Sequence, residues 1–309
     1  LGENKNLPNF LIVGAAKAGT TSLYEYLKLH PQIFLNDKIK ESFFLTGLDF
    51  RNTNPKSGDY HLNKVYTLKE YEELFDSTRQ FKSIGEVCVG YLYFYQQSIP
   101  KIKEYLSQPK IIIILRNPIE RAFSNYMHFV RDGYEKLSFY EALQNEKVRN
   151  TKNYWWGYQY SKGGLYYDAV RKYLQEFENV QIIVFDDLVE NTKKVYRQIL
   201  EFLCVDKMFV PKNIFDKYNV SGVPRSHFVD DVLQRPQKYL SNQIWEIFKL
   251  ITPKYYRRKL KRKILHSNYK QGIKDAKSIG ILKEFYEEDI YKLSNLLKKD
   301  LTYWISNNV

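Results

Sequence analysis

Residues 10–30 read FLIVGAAKAGTTSLYEYLKLH, and this run limits the chain more than any other stretch. Four apolar residues of strand length lead into Gly14. A turn with a second glycine, Gly19, follows, and then apolar residues at helical spacing run up to Pro31. A buried strand, a glycine-containing turn and a helix in direct succession form the first unit of an α/β layer. Gly14 and Gly19 relieve the tight turn, the amides of residues 17 to 22 can face an anion, and Thr20, Thr21 and Ser22 add hydroxyls at the positive end of the helix. Lys17 and Ala18 complete an oxyanion cradle. An ATPase loop would instead place lysine directly after the second glycine, where this chain has Thr20.

The remaining pattern extends the same architecture. KSIGEV near 82–87, the five-residue apolar strand in QPKIIIILRNP and NVQIIVFDDL at 179–188 read as further strands. Helical spacing appears at 119–130, 168–178, 192–203, 237–250 and 282–299. Uninterrupted apolar strands separated by helices predict an α/β fold of the P-loop type. Its three layers have a central, mostly parallel sheet flanked by helices. One domain over 1–309 is expected, with a basic helical part at about 232–309 and loops at 47–65 and 211–231 bordering the ligand edge. At 309 residues, 44% hydrophobic and 27% charged, the chain can bury a full core without metals or disulfides. Cys88 and Cys204 match no zinc, haem or redox spacing and read as two isolated buried thiols of a reducing compartment. No apolar run approaches membrane-spanning length, so a soluble, cytoplasmic protein without integral membrane association is expected.

The net charge of +13 attracts an anion without naming it. The most apolar strand ends in Arg116, so a cation meets the anion there, where a Mg²⁺ site would need an acid. Asp186 and Asp187 keep an ATP-dependent kinase as a distant alternative, although acids that cap strand ends are commonplace. The run KYYRRKLKRK at 254–263 holds seven cations in ten residues and reads first as a solvated helix face. No nucleic-acid partner is expected, because no helix-turn-helix, RNP-like or zinc pattern accompanies the charge. The five histidines give no metal-ligand spacing, and no metal is expected.

Two segments, residues 8–33 with KESFF at 40–44, and LRNPIERAFSNY at 115–126, resemble the 5′-phosphosulfate- and 3′-phosphate-binding segments of PAPS-dependent sulfotransferases. GEVCVGY at 85–91, residues 163–188 and NVSGVPRS at 219–226 are similar to bacterial members and to the domains that sulfate heparan sulfate. The resemblance implies an enzyme that moves a sulfuryl group from PAPS to a hydroxyl or amine and releases PAP. Lys17, Ala18, Gly19, Thr20, Thr21 and Ser22 would surround the 5′-phosphosulfate. Arg116 and Ser124 would hold the 3′-phosphate, with Arg225 as a late phosphate contact and Arg121 as a further candidate. The guanidinium fork of Arg116 suits phosphate oxygens.

Glu41 matches the carboxylate that serves as base in heparan-type relatives, and Lys17 would offset charge on the leaving group. His128 falls on a histidine near the acceptor in N-sulfotransferases and is the alternative base. Lys40, Glu86, Tyr91 and His128 would meet the acceptor. Here GE is followed by VCVGY, where many relatives place a small hydroxyl residue and proline, so the resemblance does not carry acceptor identity. A small metabolite is the first expectation and a saccharide, polysaccharide or glycolipid the alternative. Tyrosines and tryptophans at 91–95 and 154–160 could stack on sugars, with core packing as their ordinary role.

Overall fold

The computed structural model describes residues 7–54, 64–76, 78, 80–212, 214 and 272–306, with isolated positions between 223 and 270. Its centre is a five-stranded sheet of β1 (Phe10–Gly14), β2 (Ile33–Leu35), β3 (Ser83–Val87), β4 (Lys110–Leu115) and β5 (Val180–Val184). The order is β2-β3-β1-β4-β5, and every neighbouring pair is parallel. The central position of β1 follows from its sequence: Phe10, Leu11, Ile12 and Val13 are fully buried, and apolar side chains on both faces need a layer on each side. Ile111 to Leu115 of β4 are equally buried, with Ile12 opposite Ile112 and Ile114 opposite Ile183.

Twelve helices among the described residues cover this sheet. They are α1 (Thr20–Leu27), α2 (Leu68–Glu73), α3 (Gly90–Tyr93), α4 (Tyr95–Tyr105), α5 (Pro118–Arg131), α6 (Phe139–Gln144), α7 (Glu146–Thr151), α8 (Tyr167–Glu176), α9 (Phe185–Glu190), α10 (Thr192–Phe202), α11 (Ala276–Leu297) and α12 (Tyr303–Ser306). A short antiparallel pair joins β6 (Val223–Pro224) to β7 (Tyr269–Lys270). Right-handed crossovers send the connection from β1 to one face and those from β3 and β4 to the other. Contacts agree: Tyr26 of α1 meets Tyr196 of α10 edge-on at 6.4 Å, whereas Tyr173 of α8 donates to the Tyr91 carbonyl of α3 at 3.0 Å. At the carboxyl end of β1 these connections part, and ligands of open α/β sheets bind in such a crevice.

The expected α/β architecture is present, with local differences. The strand near 179–188 stops at Val184, and FDDL opens α9, whose first turn carries Asp186 and Asp187, where acids are favoured by the helix dipole. The helix after the loop ends at Leu27, one turn before the proline. Cys88 is buried as expected, but Cys204, at φ 57° just after α10, is exposed. The helix expected at 237–250 and the basic run at 254–263 lie outside the described residues.

Candidate active site

The carboxyl ends of β1 and β4 and the starts of α1 and α9 meet at the crevice. After β1 the loop is tied down by the Ala15 amide, which donates to the Ile114 carbonyl at 2.7 Å. Lys17 and Gly19 then both take left-handed conformations, φ 67° and 82°. A side chain at Gly19 would also meet the Phe185 ring, its Cβ 2.8 Å from a ring carbon, so glycine is required twice over. Gly19 caps α1 without a side chain, and the first amides of the helix therefore face the crevice with no side-chain acceptor from the cap. Thr20 is buried, Thr21 and Ser22 are half-buried, and Ala18 is buried beneath them.

Positive charge is packed tightly around this loop. Arg116, directly after β4, donates from Nη1 to the Lys17 carbonyl at 2.9 Å and lies 5.0 Å over the Phe185 ring. Burial lowers the Lys17 ammonium from its ordinary 10.5 to about 7, and the like charges of Arg131, Arg116 and Lys40 add to the effect while Asp132 opposes it. Burial also pulls Arg116 down, against the attraction of Glu120. Cations that depress one another beside helix amides make a locally positive crevice, in which Glu120, Asp132 and Glu41 pair with Arg116, Arg131 and Lys40.

Opposite the loop, Lys40 connects it to Glu41. Its Nζ donates to Thr21 Oγ1 at 3.1 Å and lies 3.5 Å from Glu41 Oε1, with both side chains partly exposed. The next residue, Ser42, is fully buried and donates to Glu86 Oε1. Tyr71 and Tyr91 also donate to the Glu86 carboxylate, at 2.8 and 2.9 Å, and the Tyr91 hydroxyl accepts from the Leu45 amide at 3.3 Å. This network fixes KESFF on both sides of Ser42, so Glu41 projects from an anchored turn. Burial raises the Glu86 pKa, and the three hydroxyl donors pull it back.

On α5, His128 Nε2 lies 3.3 Å from Asp132 Oδ2, one turn further on. Burial holds the imidazole well below its ordinary 6.5, and the charges of Lys17 and Arg131 push it the same way. It is therefore a neutral ring near neutral pH, and its protonated form is disfavoured.

Residues 8–208 match the profile of the Sulfotransferase family. The chain belongs to the sulfotransferase family. Its fold superposes on a sulfotransferase from Alicyclobacillus acidocaldarius with a TM-score of 0.73 and 30% identity, covering 96% of this chain and 98% of the other. Carbohydrate sulfotransferase 15 of Homo sapiens is 22% identical over 303 residues, 81% of this chain and 52% of its own length. Bifunctional heparan sulfate N-deacetylase/N-sulfotransferase 3 of Homo sapiens is 32% identical over 143 residues, 44% of this chain and 15% of that protein. This sulfotransferase spans about half the length of the carbohydrate sulfotransferases it matches.

Not every residue expected at the site lines it. Glu86 and Tyr91, expected to meet the acceptor, are 4% and 0% exposed and sit beneath Ser42, where they hold the turn that carries Glu41. Arg121, the further phosphate candidate, is turned inward: it is 1% exposed and donates to the Tyr160 carbonyl. Ser124 is buried on α5, and Arg225 lies outside the described residues. Asp186 accepts from Tyr303 Oη and Trp304 Nε1, at 2.9 and 3.4 Å, and Asp187 pairs with Lys299. Both acids thus have partners in the C-terminal part of the chain.

Sequence reading missed four residues of the site, the first being Arg131, whose charge lowers the Lys17 pKa. Asp132 could have been found from its i,i+4 spacing to His128. Phe185 could have been found as the first residue after a strand end. Lys64 carried no pattern, yet its Nζ lies 3.9 Å from the Phe43 ring centroid and 5.4 Å from that of Trp155. Burial lowers its pKa, while the charge of Glu41 raises it. Among the described residues there is no group of three or more metal-ligating side chains and no helix long and apolar enough to cross a membrane.

Proposed function

We propose that this sulfotransferase transfers the sulfuryl group of PAPS to a hydroxyl or amine of a saccharide and releases PAP. The observation that carries the reading is the cation cluster around the left-handed Lys17, joined through Lys40 to a projecting Glu41. The uncapped amides of α1 suit the 5′-phosphosulfate, with Lys17, Ala18, Gly19, Thr20, Thr21 and Ser22 around it. Arg116 and Ser124 take the 3′-phosphate, and Arg225 joins them by resemblance. Bound PAPS supplies an activated sulfuryl group on a good leaving group. Saccharide acceptors are favoured over a small metabolite because the named relatives are a carbohydrate sulfotransferase and a heparan sulfate N-sulfotransferase.

Glu41 takes the proton of the acceptor hydroxyl or amine as its oxygen or nitrogen bonds to sulfur. Lys17 lies where negative charge grows on the departing bisphosphate, so its ammonium is most stabilising in the transition state. Lys40 orients Glu41 toward the loop, and His128, neutral and braced by Asp132, presents a polar contact to the acceptor. Positive charge for the leaving group comes from side chains, and the reading requires no metal.

Labelled PAPS incubated with the protein and a panel of glycan, phenol, alcohol and amine acceptors, followed by mass spectrometry, tests this. A product 80 mass units heavier, roughly one sulfuryl group, on a glycan is the expected outcome. Label transferred to phenols or alcohols while glycans stay unmodified would restore the small-metabolite reading.

A further inference from the structure

Glu120 sits in the first turn of α5, and two cations compete for its carboxylate. Lys274, in the short stretch before α11, donates a hydrogen bond from Nζ to Glu120 Oε1. Arg116 Nη2 lies 3.6 Å from Glu120 Oε2, within ion-pair distance and beyond hydrogen-bond reach. We propose that Lys274 is a positioning residue for donor binding: by holding Glu120 it keeps the carboxylate off Arg116 and leaves that guanidinium to the 3′-phosphate. The proposal rests on the reading above that Arg116 takes this phosphate and adds what keeps Arg116 available.

Arg116 is fixed at every point but one arm. Nη1 donates to the Lys17 carbonyl, and the Phe185 ring lies against the guanidinium. Among the described residues Nη2 makes no hydrogen bond, so this arm has donors left for an anion. Glu120 is bound to stay close to it. Only Arg116 and Asn117 separate β4 from α5, and the helix dipole favours an acid in the first turn. A carboxylate hydrogen-bonded to Nη2 would take the donor that a phosphate oxygen needs and set like charge against the ligand. A second cation on Glu120 prevents both.

Lys274 is built to be that cation. Gly272 packs so closely on α5 that a Cβ there would meet Met127 Sδ at 2.6 Å and a Phe123 ring carbon at 3.0 Å. On the other side Asp275 caps α11, accepting from the amide and hydroxyl of Ser278 at 2.8 and 2.6 Å. Lys277 Nζ then lies 4.3 Å from the Tyr140 ring centroid. With the neighbours of Lys274 pinned on both sides, its ammonium reaches Glu120 at little ordering cost.

A double-mutant cycle read by the Kd of PAP in calorimetry tests this. Lys274→Met should weaken PAP binding about fivefold in the wild-type background, the scale of one partly exposed ion pair formed in competition. In the Glu120→Gln background, where no carboxylate is left to move onto Arg116, the same change should cost less than about twofold. Glu120→Gln alone should bind PAP at least as tightly as the wild type. Lys274→Arg, which keeps a cation on Glu120, should stay within about twofold of it. In turnover, Lys274→Met should raise the KM for PAPS and leave kcat unchanged. Urea midpoints check that each variant is folded. Equal weakening in both backgrounds overturns the proposal, because Lys274 then meets the phosphate itself or adds only bulk charge. No loss in either background overturns it as well, as does weaker binding by Glu120→Gln or a loss in Lys274→Arg equal to that in Lys274→Met. An unchanged Kd in Arg116→Ala overturns the phosphate placement and the proposal with it, whereas an additive cycle beside a weakened Arg116→Ala overturns the proposal alone.

Discussion

On the proposed reading, PAP binding at Lys17 takes up a proton, and the uptake can be counted. With an ammonium pKa of about 7 in the free protein, roughly nine-tenths of Lys17 is neutral at pH 8. The groups facing it are Arg131, Arg116 and Lys40, which hold it down, and Asp132, which lifts it, with the neutral His128 alongside. PAP brings phosphate charge against this cluster and returns the lysine toward its ordinary range. Binding at pH 8 should therefore draw about 0.9 proton from solution, falling to about 0.5 at pH 7. Because the complex holds more protons than the free protein, affinity falls as pH rises, with Kd weakening nearly tenfold between pH 8 and 9. Phosphate groups, with a second pKa near 6, are ionised in both states at pH 8 and add little. Titration calorimetry of PAP in buffers of differing ionisation enthalpy measures the proton count directly. Lys17→Met should abolish the uptake while the remaining contacts keep measurable binding. Uptake below about 0.2 proton at pH 8, or equal uptake in Lys17→Met, would refute a depressed lysine at the loop.

Other expectations are more local. Glu41→Gln should bind PAP as the wild type does in calorimetry but turn over at least about 10²-fold more slowly, the usual scale for a lost general base; wild-type kcat in that variant rules Glu41 out. Arg116→Ala removes charge-assisted hydrogen bonds to phosphate and should weaken PAP binding by roughly 10- to 100-fold. An unchanged Kd would move the 3′-phosphate elsewhere. Glu86→Ala strands the hydroxyls of Ser42, Tyr71 and Tyr91 in the interior and should lower stability by about 2–4 kcal/mol in urea melts, with Glu86→Gln recovering most of it.

The phosphate-type loop and Arg116 were legible because each is local. The loop is six consecutive residues and Arg116 follows directly on an apolar strand, so each was visible by itself, and the resemblance joined the two; the structure brings them together through the Arg116 to Lys17 hydrogen bond. Glu86 and Tyr91 were misplaced for the opposite reason. Their roles depend on Ser42 and Tyr71, 44 and 15 positions away from Glu86, and a carboxylate at a strand end looks the same in sequence whether it faces a cleft or three buried hydroxyls. Arg121 misled in the same way, since helical spacing shows that it shares a face with neighbours but not that the face is covered by Gly163 and Tyr160. Among the elements, β2 is only three residues long and α4 contains Pro100, so neither produced a pattern that length and periodicity could register.

The partners of Asn117, Asp186 and Asp187 tie the ends of β4 and β5 to the segment near residue 300. Asn117 caps α5 through its side-chain oxygen and donates from Nδ2 to the carbonyl of Trp304, a residue 187 positions later. Tyr303 and Trp304 reach Asp186, and Lys299 reaches Asp187, all on the same side of the sheet end. The loop and Arg116 belong to the first 120 residues, yet the bracket that steadies them arrives with residues near 300. Residues 10–118 leave the ribosome well before Lys299 to Trp304, so a nascent or clipped chain lacking that segment would carry Asn117, Asp186 and Asp187 without these partners.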